Sequence, residues 1–87
     1  MEDVFVHPHA LKHGLAEGQV LEAWENFQVR QPRSAPREDE LVAVGYTRAG
    51  VAVQMVGVVH QGFVLVIHAM TPPTRGFLLE LGLMGRQ

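Results

Sequence analysis

Cysteine is absent from this chain of 87 residues, so neither a disulfide framework nor a thiolate metal site supports the fold. An excess of one charge is absent too. The formal net charge is -2 at pH 7, so any contact with nucleic acid needs a local cluster of basic side chains. No apolar run approaches the roughly 20 residues that cross a bilayer, and no signal-peptide pattern opens the chain. We therefore expect a cytoplasmic protein with no membrane contact.

Short catalytic signatures are also missing. The sequence has no glycine-rich phosphate loop, no Gly-x-Ser-x-Gly elbow and no His-Glu-x-x-His helix. What is present is an ordinary globular balance of 47% apolar and 18% charged residues, which argues against disorder. We expect one small domain over residues 1–87 with a single core.

Three β-rich runs separated by two short breaks dominate the second half of the chain. They are Glu40 to Tyr46, Val51 to Val59 and Phe63 to Met70. Connections this short join antiparallel neighbours, so the pattern predicts a three-strand meander. The last run is apolar on both faces except at His68, as is typical of a strand covered on both sides. Gly57 marks a bulge or a close backbone approach.

Two N-terminal helices are predicted before this sheet. The first spans His7 to Gly14, because Pro8 suits a first helical turn and Gly14 a C-terminal stop. The second spans Glu17 to Asn26. Its apolar residues recur at helical spacing, and they are Val20, Ala23, Trp24 and Phe27.

The remaining segments complete the predicted α+β fold. A short first strand is predicted from Phe27 to Arg30, followed by an internal loop at residues 31–39 that is rich in proline and charge. A C-terminal helix is predicted from Arg75 to Met84. Its apolar positions again recur at helical spacing, and Thr71 and Thr74 are both suitable N-caps. The predicted architecture is a small antiparallel sheet packed with two N-terminal helices and one C-terminal helix.

A group of basic side chains lies near the N-terminus: His7, His9, Lys12 and His13. On a helix His9 and His13 face the same way, so the two imidazoles are suited to share a metal ion, although no third ligand is evident. An exposed basic helix face and a site for phosphate or an acidic partner explain the same residues. The sequence leaves these three interpretations open.

A second group lies at the ends of the predicted strands. Arg48 in the first hairpin turn is either solvated or a planar fork for phosphate. His68 is either a hydrogen-bonded core residue or a general acid or base, with Arg75 stabilising negative charge on a phosphate. In a meander the first turn and the end of the third strand lie at one edge, so the geometry permits a shared site of these three residues, and the sequence leaves open whether they converge. They suffice for metal-free RNA cleavage through attack of a 2′-hydroxyl.

The order of these pieces resembles a known family. The matching pieces are Lys12-His13-Gly14, Ala23-Trp24-Glu25-Asn26, Val42-Ala43-Val44-Gly45 followed by a turn with Arg48 and Gly50, and Val66-Ile67-His68-Ala69-Met70 running into a final helix. Together they cover roughly residues 7 to 80. The chain resembles the BrnT-like toxins of bacterial type II toxin-antitoxin systems, placed with the RelE/ParE ribonuclease superfamily.

The resemblance implies a small α+β domain that acts as a metal-independent endoribonuclease without a cofactor. It implies catalytic roles for His68, Arg48 and Arg75, and contact with RNA through Lys12 and His13. It also implies a small antitoxin partner, often of the ribbon-helix-helix type, so a homodimer and a hetero-oligomer with that partner both fit. The chain departs from the family in that the segment directly after the last strand, Thr71-Pro72-Pro73-Thr74, leads to Arg75 alone in place of a richer basic set.

Two other functions compete with this interpretation. One is a catalytically inactive protein-interaction or regulatory module of the same fold, whose sheet edge or apolar surface a partner covers. The other is a small-ligand or metal-binding domain that uses His9 and His13.

Overall fold

The computed structural model describes residues 3–83, which form a five-stranded sheet with one α-helix packed on each face. In chain order the elements are β1 (Asp3–Val6), a 3-10 helix (Pro8–Leu11), α1 (Glu17–Glu25), β2 (Phe27–Pro32), β3 (Glu40–Tyr46), β4 (Ala52–His60), β5 (Phe63–Met70) and α2 (Arg75–Glu80). Among the residues described, no helix is long and apolar enough to cross a membrane.

The sheet is mixed, with strand order β1-β5-β4-β3-β2. Strands β2 to β5 are antiparallel to their neighbours, whereas β1 runs parallel to β5, with Asp3 opposite Phe63 and Val6 opposite Val66. The predicted sheet, an antiparallel three-strand meander with a short first strand, is therefore wrong, because the sheet has five strands and is mixed. The three strands of the predicted meander form only the middle of the sheet, which β1 and β2 extend at its two edges.

The edge strand β2 is longer than predicted. It continues past Arg30, because Gln31 and Pro32 pair with Val42 and Leu41 of β3. Proline is tolerated at an edge, where its missing N–H leaves no interior pairing position empty. The connection to β3 then contains two turn hydrogen bonds, from the Arg37 amide to the Ser34 carbonyl and from the Glu40 amide to the Arg37 carbonyl.

The predicted helix from His7 to Gly14 is wrong, so there are not two N-terminal α-helices. Only Pro8–Leu11 coils, as one turn of 3-10 helix. The chain enters this turn from β1, and the His7 amide still donates to the Val66 carbonyl of β5 at 2.9 Å. The His7 ring caps the turn by accepting a hydrogen bond from the His9 amide at 3.0 Å. Gly14, at φ 92°, then redirects the chain toward α1.

The helix α1 is confirmed, and it packs on one face of the sheet through Val20, Ala23 and Trp24, all buried. Phe27 does not share this face as predicted, because it begins β2 and is 43% exposed. The strands β3, β4 and β5 contribute side chains to the same core cluster, and these alternate along each strand except across a register shift between Val66 and Ala69: Ala43, Val53, Met55, Val64, Val66 and Ala69. Gly57 lies at a register shift between β4 and β5, as expected of a bulge, and directly below the Trp24 ring.

The helix α2 packs on the opposite face, where Phe77 and Leu81 join Val42, Val44 and Val56 in a second core cluster. It ends at Glu80, earlier than predicted, because the Gly82 amide bonds to the Leu79 carbonyl in a closing turn. The predicted position of Met84 in this helix lies outside the described residues.

Candidate functional site

His68 lies near the end of β5, on the face of the sheet that carries α2. It is paired with Val56 across the strand, next to the register shift at Gly57. Because paired residues of an antiparallel sheet point to the same face, His68 is directed toward the side on which Val56 packs with Phe77. The side chain is half-buried. The fold therefore places this imidazole at the border between the core and the surface.

Gln54 links His68 to the start of α2. Its Nε2 atom lies 2.9 Å from Nε2 of His68, and its Oε1 atom accepts a hydrogen bond from the Thr74 amide at 2.8 Å. The glutamine side chain is itself buried, at 5% exposed. The ring of His68 is thus held from the protein interior by Gln54, whose amide nitrogen and amide oxygen both have a partner.

The N-terminal segment brings a second imidazole to His68. The His13 and His68 rings have their centroids 5.7 Å apart and are inclined at 75°. This approach depends on the 3-10 helix, which contacts β5 and is anchored by the fully buried side chain of Ala10. Parallel pairing of β1 with the first half of β5 directs the following residues along the second half of the same strand. The two histidines, distant in sequence, meet for that reason.

Lys12 and His9 complete the group. Nζ of Lys12 lies 3.2 Å from Nε2 of His9, and both side chains are exposed. We call the four residues His9, Lys12, His13 and His68 the histidine cluster. It combines three imidazoles, two of which are in contact, with one ammonium group, that of Lys12.

The electrostatic environment of His68 disfavours its charged form. Burial lowers the pKa of His68 below its ordinary value, and positive charge on His13, Lys12, Arg33 and His9 lowers it further. A lowered pKa keeps the imidazole neutral at pH 7. A neutral imidazole has one N–H donor and one lone pair, and a bound phosphate or hydroxyl can use the one that the protein does not already engage.

Of the predicted site residues, Lys12, His13 and His68 come together, whereas Arg48 lies elsewhere. The Arg48 amide donates to Oε1 of Glu22 on α1 at 3.0 Å. Its side chain lines a groove of about 220 Å³ with Glu22, Glu25, Asn26 and Tyr46. The turn does lie at the predicted end of the sheet, but Arg48 is on the α1 side and His68 on the α2 side. The position of a turn residue in the sequence indicates the end of the sheet at which it lies but not the face.

Arg75 is the first residue of α2 and is exposed. The preceding residue, Thr74, donates its amide to Gln54, and Gln54 in turn contacts His68. Arg75 is therefore one residue away from the hydrogen bonds that lead to His68. Its side chain takes part in none of the hydrogen bonds that hold the cluster together.

Residues 3–83 contain no group of three or more histidine, aspartate or glutamate side chains placed to hold a metal ion. The shared metal site of His9 and His13 required both to lie on one α-helical face. His9 lies in the 3-10 turn and His13 lies after it, and they have different neighbours, since His9 contacts Lys12 and His13 contacts His68.

Sequence reasoning missed Gln54, which contacts the cluster directly. A signal was available, because Gln54 is the only polar residue between Val51 and Val59. A single polar residue in a strand covered on both faces needs a hydrogen-bonding partner.

A second feature that sequence reasoning missed is a groove of about 470 Å³ beside α1. The guanidinium of Arg30 lies 4.1 Å from the centre of the Phe27 ring and 5.1 Å from that of Trp24. Asp3 and Glu25 also line the groove. It is on the side of the sheet opposite the histidine cluster, so the two do not form one site.

Comparisons with known proteins add no assignment: no protein-family model, no curated protein and no solved structure matches this chain.

Proposed function

We propose that this protein is a toxin-type, metal-independent endoribonuclease that acts in the cytoplasm and uses the histidine cluster as its site. The observation that carries the proposal is the contact between His13 and His68, with Lys12 adjacent to His13 in the chain. Two imidazoles and one ammonium group supply proton transfer and charge stabilisation without a metal. The resemblance of the sequence to BrnT-like toxins involves the same residues and supports the same chemistry.

The reaction is an internal transfer within RNA. The 2′-oxygen attacks the adjacent phosphorus while the bond from phosphorus to the 5′-oxygen breaks. The 2′-hydroxyl proton passes to an imidazole, and the leaving 5′-oxygen receives a proton from an acid or from water. The products are a 2′,3′-cyclic phosphate and a 5′-hydroxyl, so atoms and charge balance. The ammonium group of Lys12 stabilises the negative charge that grows on the phosphate oxygens.

A cleavage assay with matched variants tests this function. Purified protein is incubated with RNA in EDTA, and the product ends are identified. We expect His13→Ala and His68→Ala to lower the cleavage rate by about 100-fold or more, because each removes an imidazole from the site. The control is His60→Ala, since His60 is exposed, lies at the far end of β4 and stacks on Phe63.

The proposed function is contradicted if the wild type does not cleave RNA, or if His13→Ala, His68→Ala and His60→Ala all cleave at the same rate. Thermal midpoints of the variants are measured alongside, so that a loss of folding is separated from a loss of chemistry.

A small antitoxin that covers the histidine cluster is the partner this function requires. Lys12 and His13 are exposed, so the cluster is accessible to an acidic segment of such a protein. The test is expression of the chain in bacterial cells with and without the product of the adjacent reading frame. Growth inhibition that the second protein relieves supports the pairing, and growth without inhibition counts against it.

A non-catalytic interaction module is the second candidate, favoured by the outer edge of β2. Within residues 3–83 this strand pairs only with β3, and five of its six residues are exposed. An unpaired strand edge accepts a strand from another chain. Absence of RNA cleavage together with formation of a stable complex with the adjacent gene product supports this candidate.

A further inference from the structure

Gln54 is a buried polar side chain whose every polar atom is engaged. Its oxygen accepts from the Thr74 amide at 2.8 Å, and its nitrogen faces Nε2 of His68 at 2.9 Å and the sulfur of Met70 at 3.9 Å. Gln54 is opposite Met70 in the sheet, two positions from His68 on the same strand face. The strand pairing therefore fixes where the amide can reach.

The Thr74 amide determines which way round the glutamine lies. A backbone N–H can donate only to the amide oxygen, because the nitrogen of an amide group is not an acceptor. With Oε1 directed to Thr74, the NH₂ group of Gln54 must face His68. Nε2 of His68 is then the acceptor and carries no proton. In a neutral imidazole the proton must in that case be on Nδ1.

We infer that Gln54 is a positioning residue that holds His68 in the Nδ1–H form, with its Nε2 lone pair occupied. This inference rests on the proposed function for its chemical consequence. His68 presents an N–H donor to a phosphate oxygen and does not exchange its own proton during the reaction. His13, which lies against the His68 ring and is exposed, is left as the imidazole that accepts the 2′-hydroxyl proton.

The surroundings of His68 favour the same form. Protonation at Nε2 would place a ring N–H against the NH₂ group of Gln54, so that two donors face each other. The charged groups that act on the ring are all basic: His9, Lys12 and His13 from the N-terminal segment, and Arg33 from the connection after β2. None of them stabilises an imidazolium at this position.

Nuclear magnetic resonance of the ring nitrogens tests the assignment directly. In the wild type at neutral pH we expect the nitrogen signals of His68 to show the Nδ1–H form. In Gln54→Glu both carboxylate oxygens accept, one from Thr74 and one from His68, so the proton moves to Nε2 or the ring becomes charged. Gln54→Met keeps a side chain of similar length without a donor, and we expect a mixture of the two forms. Gln61→Glu, an exposed glutamine in the turn after β4, adds the same charge as a control and leaves His68 unchanged.

Signals of the Nε2–H form in the wild type, or signals that are the same in the wild type, Gln54→Glu and Gln54→Met, overturn the inference. Gln54→Glu introduces a carboxylate into a buried position, which disfavours folding. Gln54→Met adds no charge, so it tests the same effect on His68 in a folded protein.

The RNA cleavage rate separates this inference from the proposed function. If the wild type cleaves RNA and the nitrogen signals of Gln54→Glu show the Nε2–H form, we expect this variant to cleave about 100-fold more slowly, since His68 no longer offers the Nδ1–H donor. Wild-type rates in Gln54→Glu, together with signals of the Nε2–H form, refute the positioning role while leaving the ribonuclease intact. If the wild type does not cleave, the proposed function fails, and the nitrogen signals alone decide whether Gln54 fixes the ring.

Discussion

Two glycines bring α1 close to the sheet. A Cβ atom at Gly45 would lie 1.8 Å from the Ala23 carbonyl oxygen, and one at Gly57 would lie 2.7 Å from the edge of the Trp24 ring. The first obstacle is backbone, which cannot rotate away as a side chain can. Close contact between α1 and β3 therefore depends on the missing side chain of Gly45.

We expect Gly45→Ala to lower the free energy of unfolding by about 3 kcal/mol or more, because the new methyl group forces α1 away from the sheet. Urea denaturation measures the change. Gly76→Ala is the matched control, since nothing lies within 4 Å of a Cβ there. In the helix α2 that substitution should instead stabilise by about 0.5–1 kcal/mol. Equal stability of the Gly45→Ala variant and the wild type would contradict the close approach.

The histidine cluster could be predicted in part from the sequence. Lys12, His13 and His68 stand out as polar residues in apolar or glycine-bounded surroundings, and they meet in the fold. To predict the contact of Gln54, one must know which strand positions share a face beyond a bulge. The register shift at Gly57 changes which positions of β5 point to the same face. The predicted place of Arg48 in the site is wrong for a related reason. The sequence indicates the end of a strand but not the face of the sheet on which the side chain of a turn residue lies.

At the scale of elements, α2 depends on its first turn. Thr74 caps the helix through Oγ1, which accepts from the Phe77 amide at 3.2 Å. The helix has only six residues, so it cannot persist without its cap and its packing. At the other end Glu80 pairs with Arg33 at 3.0 Å, and Arg33 also contacts Glu40 at 2.8 Å. These ion pairs are partly exposed and contribute little on their own.

Removing the cap should loosen α2 selectively. We expect Thr74→Ala to cost about 1 kcal/mol in the free energy of unfolding, with faster amide hydrogen exchange at Leu78, whose N–H donates to the Thr74 carbonyl. Thr74→Ser keeps the hydroxyl and serves as the control. The capping role is wrong if Thr74→Ser loses as much stability as Thr74→Ala.

The elements differ in how far the sequence predicts them. The helix α1 and the middle strands follow from periodicity, which is a local property of the chain. The strand β1 does not, because four residues, Asp3 to Val6, gain their strand conformation by pairing with β5 near the other end of the chain. Short segments take their structure from such distant partners and not from propensity. This pairing continues to Val6, and the His7 amide also bonds to β5. Only one 3-10 turn therefore forms where a first helix was predicted.

At the scale of the whole molecule, two ionisable groups make stability depend on pH in the same direction. The pKa of His68 lies below its ordinary value of 6.5, chiefly because of burial, so the unfolded chain binds more protons than the folded one once the pH falls below that value. The pKa of Glu40 is lowered chiefly by the hydrogen bond from Arg37, so its contribution is present above its ordinary value of 4.5 and is lost as the pH falls through the folded pKa. Both effects destabilise the fold in acid.

We expect the thermal midpoint to fall in two stages as the pH decreases, the first below about 6.5 and the second below about 4.5. His68→Gln should reduce the first stage and leave the second, and Glu40→Gln should do the reverse. Calorimetry across this range measures both. A first stage of equal size in His68→Gln and the wild type would show that His68 is not the group responsible.

The parallel pairing of β1 also sets the order in which the molecule can be completed during synthesis. Asp3 leaves the ribosome well before its partner Phe63, which follows only after β2, β3 and β4 have been made. Until β5 exists, β1 has no edge to join, and the residues after it have nothing to lie against. Contacts between distant parts of a chain form late. His13 can therefore meet His68 only once β5 has emerged, so a nascent or truncated chain that stops before β5 would carry its basic segment without the cluster.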